Sequence, residues 1–600
     1  MRILVTHPLH SQLVQPGLGD LVVYRPELAG QPEEALRQAL AENLPDAALV
    51  NGNCPGPATL DAWQTMARRR VQLIRRRDGQ TRPKIHLPGI DVYELSGPPS
   101  LPKDLQALGL AERHVMQETT ARRLAAHGVS ARASGTVAGS RVTLVGAGIV
   151  NLMIAVDLAE RGAEVEILDA RPDPRTCPPW EQLGATHGGS NARMFCFTEA
   201  DNYNEKGHLV YAKMHQVFRR TITQGGWLAV EPETLDRDER AWIDRFHALP
   251  RWRAEVFTED IHGFTIASDP LWQELREQLP QLFEDVGYTP GILRLYAEPE
   301  KAAAAEALHA RIGSLTRTLD TEELLRRHPA CRDAVLDGQI ARALEVRGFT
   351  LNVHDFVVRL LAHLESRGAR LRWKTPANAV ECAVDGQVCG LRVGNGQYVR
   401  SEHYVLSPGV YGNPLLEGTR SAGKIQGILG LWMAFPNLEP RLRHSIKLHR
   451  EGHVGEDSNV TLARDAAGRP SLILGSGYGF LGSQALDLDS PEIASLFDAL
   501  EETARRYFPR AYAQALEEGT LQETRKACIR PFTCTGLGLF EVRSTVDGGR
   551  LVIASAHNTG GFAQAPAVAE AVRTTLEGGQ HPMQALYDPE RGILPDSLMD

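Results

Sequence analysis

RVTLVGAGIVNLMIAVDLAERGAEVEILD, residues 141–169, decides the fold. The apolar run RVTLV leads into Gly146 and Gly148, IVNLMIAVDLAERG then has helical spacing, and EVEILD is a second strand ending on Asp169. Gly146 permits a tight turn. Gly148 lets the backbone approach a pyrophosphate at the N-terminus of the helix opened by Ile149 and Val150, with Ala147 between the two glycines. Asp169 stands 23 residues beyond Gly146, where a carboxylate accepts from ribose hydroxyls, and Ala170 and Arg171 follow it. Strand, glycines, helix, strand and acid all fall in order, so the stretch predicts a dinucleotide-binding α/β unit. Asn151 departs from the pattern, since a third glycine normally allows close helix–strand packing. An Asn there either widens that crossing or hydrogen-bonds the loop. The motif alone does not separate a nicotinamide from a flavin dinucleotide.

Composition sets the bounds. Six hundred residues exceed the roughly 250–300 at which one core stops growing, so several domains are expected. With 42% hydrophobic and 23% charged residues the chain is of ordinary globular composition. Its net charge of −9 comes without a long basic run, which argues against nucleic-acid and anionic-membrane partners. No stretch has the length of a membrane span, and MRILVTHPLHSQ reads as a buried strand rather than a signal peptide, so a cytoplasmic protein is expected. Eight cysteines, never as CxxC, argue against a disulfide framework and a zinc site, and no metal is expected.

Before residue 138 the chain alternates strand-like runs (RILVTHP, LVVYRPE, AALVNGN, VQLIRRRD, KIHLPG) with the helical PEEALRQALAENL and TLDAWQTMARRR, which predicts a small parallel-sheet α/β domain. VSARASGTVAGS reads as the linker. His86, Asp91 and Arg75–Arg77 form a polar group expected on the surface. Residues 139–600 read as a second unit whose nucleotide-binding parts (about 139–204, 345–415 and 546–585) are interleaved with substrate-domain parts (about 205–344 and 416–545).

Further along, GATHGGSNARMFCF, residues 184–197, resembles the loop after the second strand in the flavin-dependent D-amino acid oxidase, glycine oxidase and monomeric sarcosine oxidase superfamily. The closing GGRLVIASAHNTGGFAQAPAVAEAV is similar to that superfamily's strand, glycine turn and helix, and YVLSPGVYGNPLL to its strand-then-glycine segment. The resemblance covers about 139–585. It implies a Rossmann-type FAD domain interleaved with a mixed-sheet substrate domain, and hydride transfer from an amino acid or secondary amine to flavin N5, giving an imine. It implies that His187, Gly188, Gly189, Ser190 and Arg193 lie against the flavin, with Arg193 stabilising the reduced ring. Gly409, Asn558, Thr559, Gly560, Gly561 and Phe562 would complete the cofactor site, and Pro566 would sit in the first turn of the last helix.

In RKACIRPFTCTGLG, Arg530 falls where the superfamily's glycine and D-amino acid oxidases carry the arginine that pairs with the substrate carboxylate. Cys528 falls where the sarcosine-oxidase branch links its flavin covalently, which makes it the candidate for such a bond. That branch's terminal lysine is replaced by Ala563, so Arg530 would hold the carboxylate alone and sarcosine is in doubt as substrate. Lys424 is a weaker candidate for a flavin-proximal or oxygen-activating cation, with oxygen as a candidate acceptor. Residues 1–138 lie outside the resemblance and vaguely resemble the N-terminal half of D-2-hydroxyacid dehydrogenases, for an oligomerisation, lid or second-ligand role. That leaves two alternatives: an NAD(P)-dependent dehydrogenase of a hydroxy or amino acid, and a flavin-binding subunit without turnover of its own.

Overall fold

The computed structural model describes the chain except residues 1, 16, 52–54, 78–88, 97–99, 130–134, 177–193, 199–203, 205–216, 395, 450–456, 466, 477–478 and 593–600. The front unit is a five-stranded all-parallel sheet of β1 (Ile3–Val5), β2 (Val22–Tyr24), β3 (Ala47–Asn51), β4 (Val71–Arg77) and β5 (Ile90–Ser96), in the order β2-β1-β3-β4-β5. Helices α1 (Glu33–Asn43), α2 (Pro57–Ala67) and α3 (Leu101–Ala126) accompany it. The predicted strand KIHLPG lies outside the described residues but for Gly89; the fifth strand is the following IDVYELS. Arg75 corrects an expectation. It is 6% exposed and ion-paired with Glu94, because it sits inside a sheet strand rather than on the surface. Asp91 pairs with Arg70 at 2.7 Å, and His86 lies outside the described residues.

From residue 141 the chain shuttles between two sheets. β6 (Arg141–Val145), α4 (Ile149–Glu160) and β7 (Glu164–Leu168) open the nucleotide sheet. β8 (Met194–Cys196), β9 (Thr289–Tyr296), β10 (Leu315–Leu319) and β11 (Arg342–Thr350) belong to a ten-stranded mixed sheet, with the long helix α5 (Arg251–Gln278) and α6 (Pro299–Arg311) between them. α7 (Val353–Ser366) and β12 (Arg370–Arg372) return to the nucleotide sheet; β13 (Ala377–Cys382), β14 (Val388–Val393) and β15 (Gln397–Val399) form a small antiparallel sheet; β16 (His403–Leu406) again joins the nucleotide sheet. The large sheet then takes β17 (Gln426–Pro436), β18 (Ser445–His449), β19 (Asp457–Arg464), β20 (Pro470–Ser476), β21 (Phe480–Gly482) and β22 (Lys526–Phe532), backed by α8 (Pro491–Tyr507) and α9 (Pro509–Glu517). β23 (Leu539–Ser544), β24 (Arg550–Ser555) and α10 (Gly561–Leu576) close the nucleotide unit.

The nucleotide sheet runs β12-β7-β6-β16-β24-β23, parallel except for β23 at its edge. β23 thus lies in the nucleotide sheet although it falls within 416–545, and β11, which spans residue 345, lies wholly in the large sheet. α4 is buried at ten of its twelve positions. Such an all-round apolar helix belongs between layers, and α10 packs along it.

The front unit is fastened to the rest. One core runs from Ile3, Val5 and Leu108 through Trp252 and Phe257 to Val142, Leu152 and Val568. Within it Glu112 of α3 accepts two bonds from Arg591, at 2.9 and 2.7 Å, and Arg591 also donates to Asp260 of α5 at 2.5 Å. Arg591 and Glu112 are both completely inaccessible, so each charge is satisfied only by the other elements. The linker is docked as well: Gly135 donates to the Glu577 carbonyl, and Val137 is fully buried.

Candidate functional site

The glycine loop has the geometry its sequence implies. Gly146 holds φ +95°, and a side chain there would meet the Ser407 carbonyl at 2.5 Å, so only glycine fits. At Gly148 the space a side chain would take is open. Gly148 caps α4 without a side-chain bond, leaving first-turn amides for an anion. The Asp169 carboxylate is aimed at this loop by the amides of Ala147 and Arg171, both at 2.7 Å. Arg171 stacks its guanidinium 5.8 Å from the Tyr411 ring centre.

Asn151 takes the second of the two roles open to it. It is completely buried and donates through Nδ2 to the carbonyls of Val145 and Gly146, at 2.7 and 2.8 Å. The amide thereby staples the turn that the missing glycine would otherwise have relaxed. Its Oδ1 has no hydrogen-bond partner among the described residues. A buried acceptor beside an anion-binding turn is a position where a bound hydroxyl or water is expected.

Three more predicted positions converge on this corner. Gly409 adopts φ +68° with open space where a side chain would be. Gly560 and Gly561 open α10, and the side-chain position of Gly561 lies 3.5 Å from Val150. Thr559 lies in the single turn Asn558–Gly560. Asn558 faces the other way: Oδ1 accepts from Thr533 at 3.2 Å and Nδ2 donates to the Gly536 carbonyl, tying the turn to the β22–β23 loop. Phe562 points into the aromatic core, 5.0 Å from the Trp272 ring. The expectation for Pro566 needs correction. α10 starts at Gly561, so the proline lies in its second turn and denies the Phe562 carbonyl an i+4 donor. His187, Gly188, Gly189, Ser190 and Arg193 lie outside the described residues. These features fit the phosphate and ribose parts of a flavin dinucleotide.

The second half of the site is one face of the large sheet. Strand register divides its residues sharply. Leu293, Leu295, Ile446, Leu448, Val460, Leu474, Leu431 and Ala527 point to one side and form a core with α8 and α9. On the opposite, inner face, paired positions across β9, β18, β19, β20, β17 and β22 put Arg294, Lys447, Asn459, Gly475, Trp432 and Lys526 in a single lateral row. One step along lie Gly430 and Cys528, and then Ile428 and Arg530. The Arg530 guanidinium folds back over Gly430 and donates to the Leu429 carbonyl at 2.9 Å. It occupies the space that a side chain at residue 430 would fill. Trp432 is 4% exposed, yet its Nε1 finds no acceptor among the described residues, and neither does the Asn459 Oδ1 find a donor. Cys528, 5% exposed, stands beside Gly430 on the same face.

Lys424 is placed elsewhere. It is half-buried and donates to the Pro589 carbonyl at 2.8 Å, with burial pushing its pKa down against the pull of Glu590 and Asp588. All six described cysteines are thiols, and no group of His, Cys, Asp or Glu among the described residues is arranged to hold a metal. No described helix is long and apolar enough to cross a membrane.

Sequence reading named Arg530 and Cys528 on this face but not Gly430, Trp432, Asn459, Gly475, Lys447 and Arg294. A signal exists for the polar members: Lys447 interrupts SIKLH and Asn459 SNVTL at an alternating position. Register is needed to see that the interruptions line up.

The sequence profile described as DAO, FAD dependent oxidoreductase, matches residues 141–574. Among curated proteins none matches the chain. Glycine oxidase from Bacillus cereus superposes with TM-score 0.50 at 16% identity, covering 76% of this chain and all of that one. Iminodiacetate oxidase from Chelativorans sp. superposes with TM-score 0.50 at 16% identity, covering 75% of this chain and 99% of that one. At such identity these likenesses speak to the fold.

Proposed function

Since this chain belongs to the DAO family of FAD-dependent oxidoreductases, we propose that it oxidises the C–N bond of a small amino acid or secondary amine, giving an imine. The family match makes the chain a flavin-dependent enzyme, which sets aside the nicotinamide alternative. The observation that carries the substrate reading is the Arg530 guanidinium laid over Gly430 on the inner face of the large sheet.

A bound FAD supplies the acceptor for the hydride that leaves the carbon next to nitrogen. The glycine loop, Asp169 and the start of α10 would hold it. The chain's own task is positioning and charge stabilisation. Arg530 has one Nη tied to the Leu429 carbonyl, which orients the guanidinium fork suited to pair with a carboxylate. The Asn459 Oδ1 is suited to accept from a neutral amine, and the Trp432 indole N–H to donate to an anionic oxygen. The leucine-rich opposite face and α8 close the site from behind against water.

Cys528 is the proposed point of covalent flavin attachment, and acid precipitation tests it: flavin should stay with the wild-type protein and be released from Cys528→Ser. Oxygen is the proposed acceptor in turnover, Arg193 a proposed flavin-proximal cation, and residues 1–138 a fixed docking unit ending near the linker. The amine-oxidase reading is tested with Arg530→Ala, which should keep flavin yet raise KM for carboxylate-bearing amines by about two orders of magnitude, the worth of a lost bidentate pair. Unchanged kinetics would remove Arg530 from the site.

A further inference from the structure

The C-terminal segment joins the front unit to the turn Asn558–Gly560, which leads into α10 at the cofactor site. After the short helix Pro582–Leu586, residues 587–591 form a strap between the two. At one end α3 grips it. Arg123 donates to Asp588 and to Glu590, both at 2.6 Å, and Glu112 accepts from Arg591 at 2.9 and 2.7 Å. At the other end Tyr587 is 1% exposed and donates its hydroxyl to Gln564 of α10 at 2.8 Å. Its ring lies 5.9 Å from that of His557, the residue before the turn. We infer that Tyr587 is a positioning residue for this flavin turn, and that the front unit holds it in place through Arg123 and Glu112. This rests on the family's FAD and on the cofactor site, and is independent of the substrate.

Three observations support it. First, the turn is strained and needs backing. Ala556 and Asn558, on either side of His557, have φ +55° and +51°. Asparagine tolerates that left-handed region, but alanine stays there only where its surroundings hold it. Second, packing alone fixes the residue between them. The His557 ring is 6% exposed, and neither of its nitrogens has a hydrogen-bond partner among the described residues. A side chain at Gly538 would stand 2.5 Å from its Nδ1 and 2.7 Å from the Tyr587 ring, so the chain leaves no slack against either. Gly560 donates to the His557 carbonyl at 2.9 Å and so moves with it. Third, the strap is itself clamped by charge. Asp588, next to Tyr587, is 3% exposed, and its carboxylate is shared by Arg123 and Arg420. A buried carboxylate depends on such partners, so removing Arg123 loosens the strap and with it the support behind the turn.

The test follows FAD binding to the full-length chain. Cys528→Ser is carried throughout, so that the flavin exchanges whether or not the wild type holds it covalently. In Arg123→Met the FAD dissociation constant should rise about 5- to 150-fold, the usual size of a coupling between two sites. Arg123→Lys, which keeps the charge, should recover part of that loss. The visible circular dichroism of the bound flavin, taken at saturation, should change as well, a signature that lower stability alone does not give. Combined with Asp588→Asn, Arg123→Met should weaken binding by clearly less than the product of the two single effects, because both act through one strap. An unchanged dissociation constant in a folded Arg123→Met chain, or single effects that simply multiply, would overturn the inference. Should Arg123→Met fail to fold, Tyr587→Phe decides. It keeps the ring, loses the bond to Gln564 and should weaken FAD about 2- to 10-fold; unchanged binding would remove Tyr587 from the role. Every readout is taken without turnover, so failure of the amine-oxidation reading leaves the outcome untouched.

Discussion

Gly430→Ala asks the structure a narrow question. The backbone at residue 430 is ordinary extended strand, so alanine costs nothing in conformation. Its methyl group, however, would stand 2.7 Å from Arg530 Nη1, and closer still to Cζ and Nη2. Ordinary contact begins at 3.4 Å, so Nη1 must retreat by at least 0.7 Å. The Arg530–Leu429 bond at 2.9 Å is the tether that sets the fork, and such a shift breaks or bends it. A hydrogen bond to a charged group contributes about 1.5–3 kcal/mol, so KM for a carboxylate-bearing amine should rise roughly 10- to 100-fold. Stability and flavin content should barely move, because the displaced atoms are the end of a flexible side chain. Steady-state kinetics beside a urea melt provides the assay. Unaltered KM in a normally folded Gly430→Ala enzyme would refute the placement of the guanidinium over this strand as a substrate anchor.

Other consequences follow from single contacts. Asn151→Ala removes two hydrogen bonds from the glycine turn and should cost the apoprotein about 1–3 kcal/mol in urea denaturation; an unchanged midpoint would mean that the staple is dispensable. Arg591→Met removes the partner that Glu112 and Asp260 share, leaving Glu112 with Arg253 at 3.4 Å and Asp260 with Arg113 at 2.7 Å, and should destabilise by up to about 3–5 kcal/mol and uncouple the front unit into its own melting step. A single unaltered transition would count against that docking. Acid should unfold the protein through its histidines. Burial holds His557, His403 and His581 at about 4 in the folded state, against roughly 6.5 when unfolded. The unfolded chain therefore binds protons first, so stability is intact above pH 6.5 and drains away as pH falls toward 4. A flat melting temperature across that window would show these rings to be solvated.

Much of the nucleotide half was legible because its signals are local. Gly146, Gly148 and Asp169 lie within one strand–helix–strand unit, and each sits where its backbone or carboxylate has to act. The role of Asn151 was half legible: the residue type offered a hydrogen bond, but only the fold shows which carbonyls take it. Pro566 misled because proline at a helix start is the commoner arrangement, while here two glycines and the packing of α10 on α4 begin the helix earlier. Arg75 misled because three successive arginines look like a solvated run, whereas strand alternation turns one of them inward to meet Glu94. The inner face of the large sheet was legible only at Arg530 and Cys528. Its other members come from strands far apart in sequence, and a single register slip would have turned each of them to the opposite side.

The most direct measurement is the visible absorption spectrum of the purified full-length protein, before and after anaerobic addition of carboxylate-bearing amines. The account predicts a flavin spectrum that is bleached by some of them, and bleached far less readily in Arg530→Ala. A flavin spectrum that no amine bleaches would contradict the proposed chemistry, and a colourless protein unable to bind FAD would contradict the cofactor site built on Gly146, Asn151 and Asp169.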